Sequence, residues 1–207
     1  MTPFPLEGRK IAILSTLGFE FTELTGPKYI LECAGAEVKV IAPDLSHYAG
    51  FTLREGLVSD KHIQGMSGTD WSGAVAVDLR LEKANAADYD ALHLPGGVFN
   101  PDILRNIEGA LSFIKAFAEK GKLISAICHG PWSLINAGLV KGRKMTSWPS
   151  LRVDLQNAGA LWEDSEVVED GNFITSRRPS DIPVFGRAII RALTKAMAVP
   201  PKSGAAR

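Results

Sequence analysis

Cysteine, histidine and glutamate are the residues of this chain whose types and placement suit chemistry. In the stretch "KLISAICHGPWSLINAG", Cys128 and His129 follow a short apolar run, and Gly130 and an apolar helical pattern come after them. A strand that turns sharply into a helix exposes the residue at the bend, and a glycine beside it relieves the crowding. That geometry predicts Cys128 at a nucleophile elbow. The helix N-terminus would favour a thiolate there, through its free N–H groups and its dipole. The backbone N–H of His129 and that of Gly97, in "YDALHLPGG", would form an oxyanion hole. Glu20, in the first turn after "RKIAILST", supplies a carboxyl group for the same place. Burial and a neighbouring thiolate would keep Glu20 protonated, so that it donates to the sulfur and relays a substrate proton.

The elements that must position these groups are legible as alternating strands and helices. "RKIAILST" and "AEVKVIAP" read as buried strands joined by the helix "FTELTGPKYILECAG", with Leu24, Tyr29, Ile30, Cys33 and Ala34 on one face. Pro27 implies a late start or a kink in that helix. "YDALHLPGG" and "KLISAIC" are the third and fourth core strands, separated by a helix that opens at Pro101 and Asp102. Residues 44–78 read as short strands and loops with a hairpin excursion. "SEVVEDGNFITSR" is a hairpin with a type I′ signal at Asp170-Gly171, and "IPVFGRAIIRALTKAM" a closing helix. The fold class is therefore α/β: a three-layer, doubly wound sandwich with a mostly parallel sheet and a small β-hairpin. In such sheets ligands bind at the carboxyl ends of the strands, where Glu20, Gly97 and Cys128 should converge. Residues 1–197 are expected to form a single domain, and 198–207 a flexible tail.

Composition narrows the function. The 207 residues carry 23 basic and 23 acidic side chains, so neither nucleic acid nor an anionic membrane surface is an expected partner. No apolar run approaches the ~18 residues of a membrane span. Two cysteines and four scattered histidines show no metal-ligand spacing, and no nucleotide-binding glycine motif is present, so no metal and no cofactor are expected. A reducing, cytoplasmic setting is the expectation. Cys33, His47, His62 and His93 read as packing residues, as do Trp132 and Trp148.

The stretches "GFEFTEL", "AGAEVKVIAP", "YDALHLPGGVFNPDILR", "AICHGPW", "GRKMTSWPSLRVDLQNAG" and "VVEDGNFITSRRPSD" resemble the PfpI-type intracellular cysteine peptidase-like proteins. These belong with the Parkinson-associated deglycase in a superfamily that shares the class I glutamine amidotransferase-like fold. The resemblance implies that Cys128 is the nucleophile, His129 its neighbour and Glu20 the acid bonded to sulfur. It also implies that Asp102, lent by an adjacent subunit, orients the imidazole of a homodimer or of a hexamer built from dimers. The first expectation for function is stress-related, cofactor-free chemistry on reactive carbonyls, of glyoxalase or protein-deglycase type, with a small aldehyde as substrate. A cysteine peptidase or amidase acting on peptides is the alternative. A non-catalytic redox sensor or chaperone, built on an exposed thiolate, is the third.

Overall fold

The computed structural model describes residues 4–44 and 61–198. In chain order its strands and helices are β1 (Lys10–Leu14), α1 (Phe21–Cys33), β2 (Glu37–Ala42), β3 (His62–Ser67), β4 (Asp70–Ala76), β5 (Leu79–Arg80), β6 (Ala91–Leu94), α2 (Phe99–Leu104), α3 (Glu108–Glu119), β7 (Leu123–Ile127), α4 (Pro131–Asn136), β8 (Lys144–Met145), α5 (Arg152–Asn157), β9 (Leu161–Trp162), β10 (Val167–Asp170), β11 (Phe173–Ser176) and α6 (Ile182–Ala198).

Seven of the strands form one sheet in the order β10-β11-β7-β6-β1-β2-β5. Every neighbouring pair is parallel except β10 with β11. The central strands are apolar on both faces, which a parallel sheet requires because helices cover both sides. Ala12 and Leu14 of β1, Leu92 and Leu94 of β6, and Ile124 and Ala126 of β7 face a layer with Phe113, Phe117, Leu134 and Leu155. Ile11, Ile13, Ala91 and Ile127 face the other layer, with Leu24, Leu31, Phe185 and Ile189 of α1 and α6. The three-layer sandwich expected from the sequence is thus in place. From β1 the chain winds outward to β2 and β5, then returns to β6 on the other side of β1. The carboxyl ends of β1 and β6 therefore flank the switch point, where an open α/β sheet leaves a crevice.

Three local expectations change. Helix α1 starts at Phe21 and runs through Pro27 without ending there. Its buried residues are Glu23, Leu24, Pro27 and Leu31, so Tyr29 and Cys33 lie outside the core, both exposed. The β10–β11 turn has its first central residue, Gly171, at φ 59°. Asn172, the second, does not have a positive φ, so the turn is not type I′. The hairpin expected between residues 44 and 78 is β3–β4, which pairs with a register shift between Gln64 and Met66. The readings of 51–60 and of His47 fall outside the described residues, as does the expected tail beyond Ala198.

Candidate active site

β7 ends at Ile127, and Cys128 takes φ 59°, the one positive φ at a non-glycine position among the described residues. Left-handed backbone costs an L-residue about 1–2 kcal/mol, so something must hold it. The Cys128 N–H donates to Ser176 O at 3.1 Å, and the Trp148 N–H donates to Cys128 O at 3.0 Å. Gly130 is needed immediately after: a Cβ there would sit 2.6 Å from Leu94 O. Helix α4 then begins at Pro131. The bend is the nucleophile elbow expected from the sequence.

The carboxyl group against the sulfur belongs to Glu23, not to Glu20. Glu20 caps the start of α1 and is half-buried. Its carboxylate accepts the Gly68 N–H at 3.1 Å and the Thr22 hydroxyl at 3.4 Å, so it ties α1 to the tip of the β3–β4 hairpin. Glu23, one turn further in, is fully buried. It is in hydrogen-bonding contact with Cys128, and its Oε2 accepts the Gly96 N–H at 3.1 Å. Oε1 has no well-aligned hydrogen-bond partner among the described residues. Burial pushes the Glu23 carboxyl up to about 8, against the thiol and the N–H groups of Gly96 and Gly97, with the Glu20 charge adding to the rise. At neutral pH Glu23 is thus a proton donor. The signal for it in the sequence was a glutamate on the apolar face of a helix, where an acid is rarely found unpaired.

The backbone N–H groups of Gly97 and His129 both point at the Cys128 sulfur. Gly97 has φ 78°, and a Cβ on it would collide with Gly18 O and Glu20 N. A second correction concerns the thiol. Cys128 is buried, and burial pushes its thiol well above the ordinary range, with the Glu23 charge next and the two N–H groups opposing. The exposed thiolate expected of a redox sensor is not what the site contains. The resting pair is a thiol and a carboxyl group, each made harder to ionise by burial.

On the other side of the sulfur, His129 Nδ1 lies 3.2 Å from Sγ. Burial pulls the imidazole down to about 4, so it is neutral at pH 7. The ring is held by aromatic faces, with Trp132 at 5.2 Å edge-on and Trp148 at 6.2 Å stacked. The indoles read as packing from the sequence therefore frame the His129 imidazole. His129 Nε2 meets Ser150 Oγ at 3.4 Å. Asp102 is not in the site: it sits on α2, half-exposed, paired with Arg105 at 3.3 Å. No carboxylate reaches the imidazole among the described residues.

These groups line a cavity of about 1130 Å³. Its walls include Met66 and Trp71 from the β3–β4 hairpin, together with Phe99 and Trp148. Trp71 stacks on Phe99 with ring centres 6.3 Å apart. Among the described residues no cluster of three or more His, Cys, Asp or Glu side chains could hold a metal ion, and no helix is long and apolar enough to cross a membrane.

Residues 9–192 match the DJ-1/PfpI family. The chain belongs to it. General stress protein 18 of Bacillus subtilis is 41% identical over 189 residues, covering 91% of this chain and 99% of its own. Deglycase TK1284 of Thermococcus kodakarensis is 39% identical, covering 89% and 99%. The crystal structure of a two-domain protein with DJ-1/ThiJ/PfpI-like and ferritin-like domains, from Anabaena variabilis, superposes with a TM-score of 0.78 at 32% identity. That match covers 96% of this chain and 52% of the two-domain chain. The family resemblance read from the sequence agrees with these matches, and so does the α/β fold.

Proposed function

We propose that this protein is a stress-related, cofactor-free cysteine enzyme acting on reactive carbonyls, of glyoxalase or deglycase type. The observation that carries the reading is the buried Glu23 carboxyl, held protonated against the Cys128 sulfur beneath two converging N–H groups. Cys128 Sγ adds to the aldehyde carbon of a 2-oxoaldehyde. The thiol proton goes to the carbonyl oxygen, which the Gly97 and His129 N–H groups receive as it gains charge, and a hemithioacetal forms. Neutral His129 takes the C1 proton while protonated Glu23 gives its own to the C2 oxygen; the resulting enediol then receives the proton from His129 at C2 as its C1 hydroxyl returns one to Glu23. The result is a 2-hydroxyacyl thioester, and water cleaves it to the hydroxy acid and the free thiol. The reaction is a net hydration with internal redox, so it needs no outside oxidant. The names of the stress-protein and deglycase relatives support the same direction.

Lactate formed from methylglyoxal tests this, in wild type and in Cys128→Ser, with reductant present. Cys128-dependent lactate is expected, with a loss of at least about 10³-fold in the variant. No lactate from intact, reduced wild type would overturn the reading and leave peptide or amide hydrolysis as the alternative. That alternative needs an imidazole oriented by an acid, and within the chain Ser150 stands where the acid would be. Asp102 from an adjacent subunit of a homodimer or hexamer would complete such a triad. We place the activity in a reducing, cytoplasmic setting, where the thiol persists.

A further inference from the structure

β6 carries an imidazole inside the apolar layer between the sheet and α1/α6. His93 is fully buried, 5.8 Å from the Phe185 ring by centroid, and burial pulls it down to about 4, so it is neutral. A buried neutral imidazole is tolerable only with both nitrogens satisfied. Nε2 lies 2.9 Å from the backbone carbonyl of Glu23, and Nδ1 lies 3.1 Å from Ser125 Oγ. A carbonyl can only accept, so Nε2 carries the proton; Nδ1 must then accept, and the single Ser125 hydroxyl proton goes to the ring in preference to the Leu92 carbonyl, 3.2 Å from the same oxygen.

The carbonyl of Glu23 is unusual for a reason written in the sequence. In an α-helix it would accept the N–H of the residue four positions on. That residue is Pro27, inside α1, which has no N–H and whose ring crowds the carbonyl of residue i−4. The carbonyl is thus displaced from the helix ladder, in a place without water. We propose that His93 supplies the hydrogen-bond donor that Pro27 withholds, and thereby fixes the turn of α1 that presents the Glu23 carboxyl to Cys128. The path closes on itself: Ser125 on β7 to His93 on β6, to Glu23 on α1, and back to Cys128 at the end of β7. His93 is a positioning residue, and its role rests on Glu23 being the acid of the Cys128 site.

The test reads the sulfur directly and needs no substrate. Alkylation of Cys128 by iodoacetamide is followed by peptide mass across pH, which separates it from Cys33. The titratable groups facing the sulfur are Glu23 from α1 and His129 at the elbow, with Glu20 acting on Glu23. In His93→Leu the Glu23 turn loses its anchor, so the protonated carboxyl no longer donates squarely to the sulfur, and the rate at pH 7, where Glu23 is still protonated, is expected to fall about tenfold to a hundredfold. Pro27→Ala added to His93→Leu returns an N–H to the helix and is expected to restore most of the rate. A folded His93→Leu with the wild-type profile overturns the proposal, and so does a double variant no faster than the single one. If His93→Leu does not fold, recovery of folding in the double variant supports the donor role, and its absence overturns it. Glu23→Leu, measured alongside, separates the two levels: an unchanged profile there sinks the acid role itself. A slowed Glu23→Leu beside an unchanged His93→Leu sinks only the positioning.

Discussion

Two walls meet at the Cys128 sulfur, and they are held by different means. On the carboxyl wall, Glu23 is fixed by the Gly96 N–H to its side chain and the His93 imidazole to its backbone, all fully out of water. On the imidazole wall, His129 is flanked by Trp132 edge-on and Trp148 stacked, and its outer nitrogen has one long contact, to the exposed Ser150. Directional bonds set a group's position within tenths of an ångström, whereas aromatic faces leave a ring free to slide and turn. The contrast teaches that, under the proposed function, the acid is the more firmly positioned of the two proton-handling groups, and the imidazole has the fewer directional bonds.

The sharpest way to break that contrast is at the acid. Glu23→Leu should lower kcat/KM on the 2-oxoaldehyde by about a hundredfold or more, with the fold intact by circular dichroism. His129→Ala should cost less, about tenfold, because the backbone N–H at that position survives the change. The reverse order would put the imidazole in command and favour the peptidase alternative.

A second measurement sharpens the contrast through stability. Glu23 has its pKa raised from 4.5 to about 8 on folding, so it binds a proton in the folded state that the unfolded chain has released. Its contribution is whole below 4.5 and is lost as pH rises through 8. His93 and His129 act oppositely, because their lowered values make the unfolded chain take up protons as pH falls from 6.5 toward 4. Above 6.5 the histidines are silent and Glu23 remains. Stability by urea titration should therefore fall between pH 6.5 and 8 in the wild type, and that slope should flatten in Glu23→Leu.

The smallest expected effect is at the rim. Ser150→Ala and Asp102→Asn should each change kcat/KM by less than about fivefold, as befits a long, exposed hydrogen bond and a surface ion pair. A large loss for Asp102→Asn in an assembled oligomer, reproduced in the wild type on dilution to monomer, would show that the imidazole wall is finished by a neighbour.

Much of this site was legible before the structure because its parts sit at strand ends. Cys128, Gly130 and Gly97 announce bends, and bends after parallel strands gather at one edge of the sheet. Glu23 was missed for a helical reason. Glu20 stands in the turn nearest the strand end, whereas Glu23 lies inside α1, where an acid reads as a solvated surface charge. The buried face of the helix holds Glu23 together with Leu24, Pro27 and Leu31, so the acid is enclosed with apolar neighbours. The thiol was misjudged because a sequence shows that a helix begins nearby but not how deeply the sulfur is buried. The β3–β4 hairpin was expected only in outline, since its pairing carries a register shift that periodicity does not reveal.

The positive φ of Cys128 has one more consequence. A residue held in that conformation by Ser176 and Trp148 on either side makes the chain less stable than glycine or asparagine backbone preferences would allow. Left to random drift, the position would relax toward one of those two, and the molecule would keep its shape while losing its trade. Under the proposed function, the strained backbone at Cys128 is a cost in stability that the reactive sulfur at this bend accounts for.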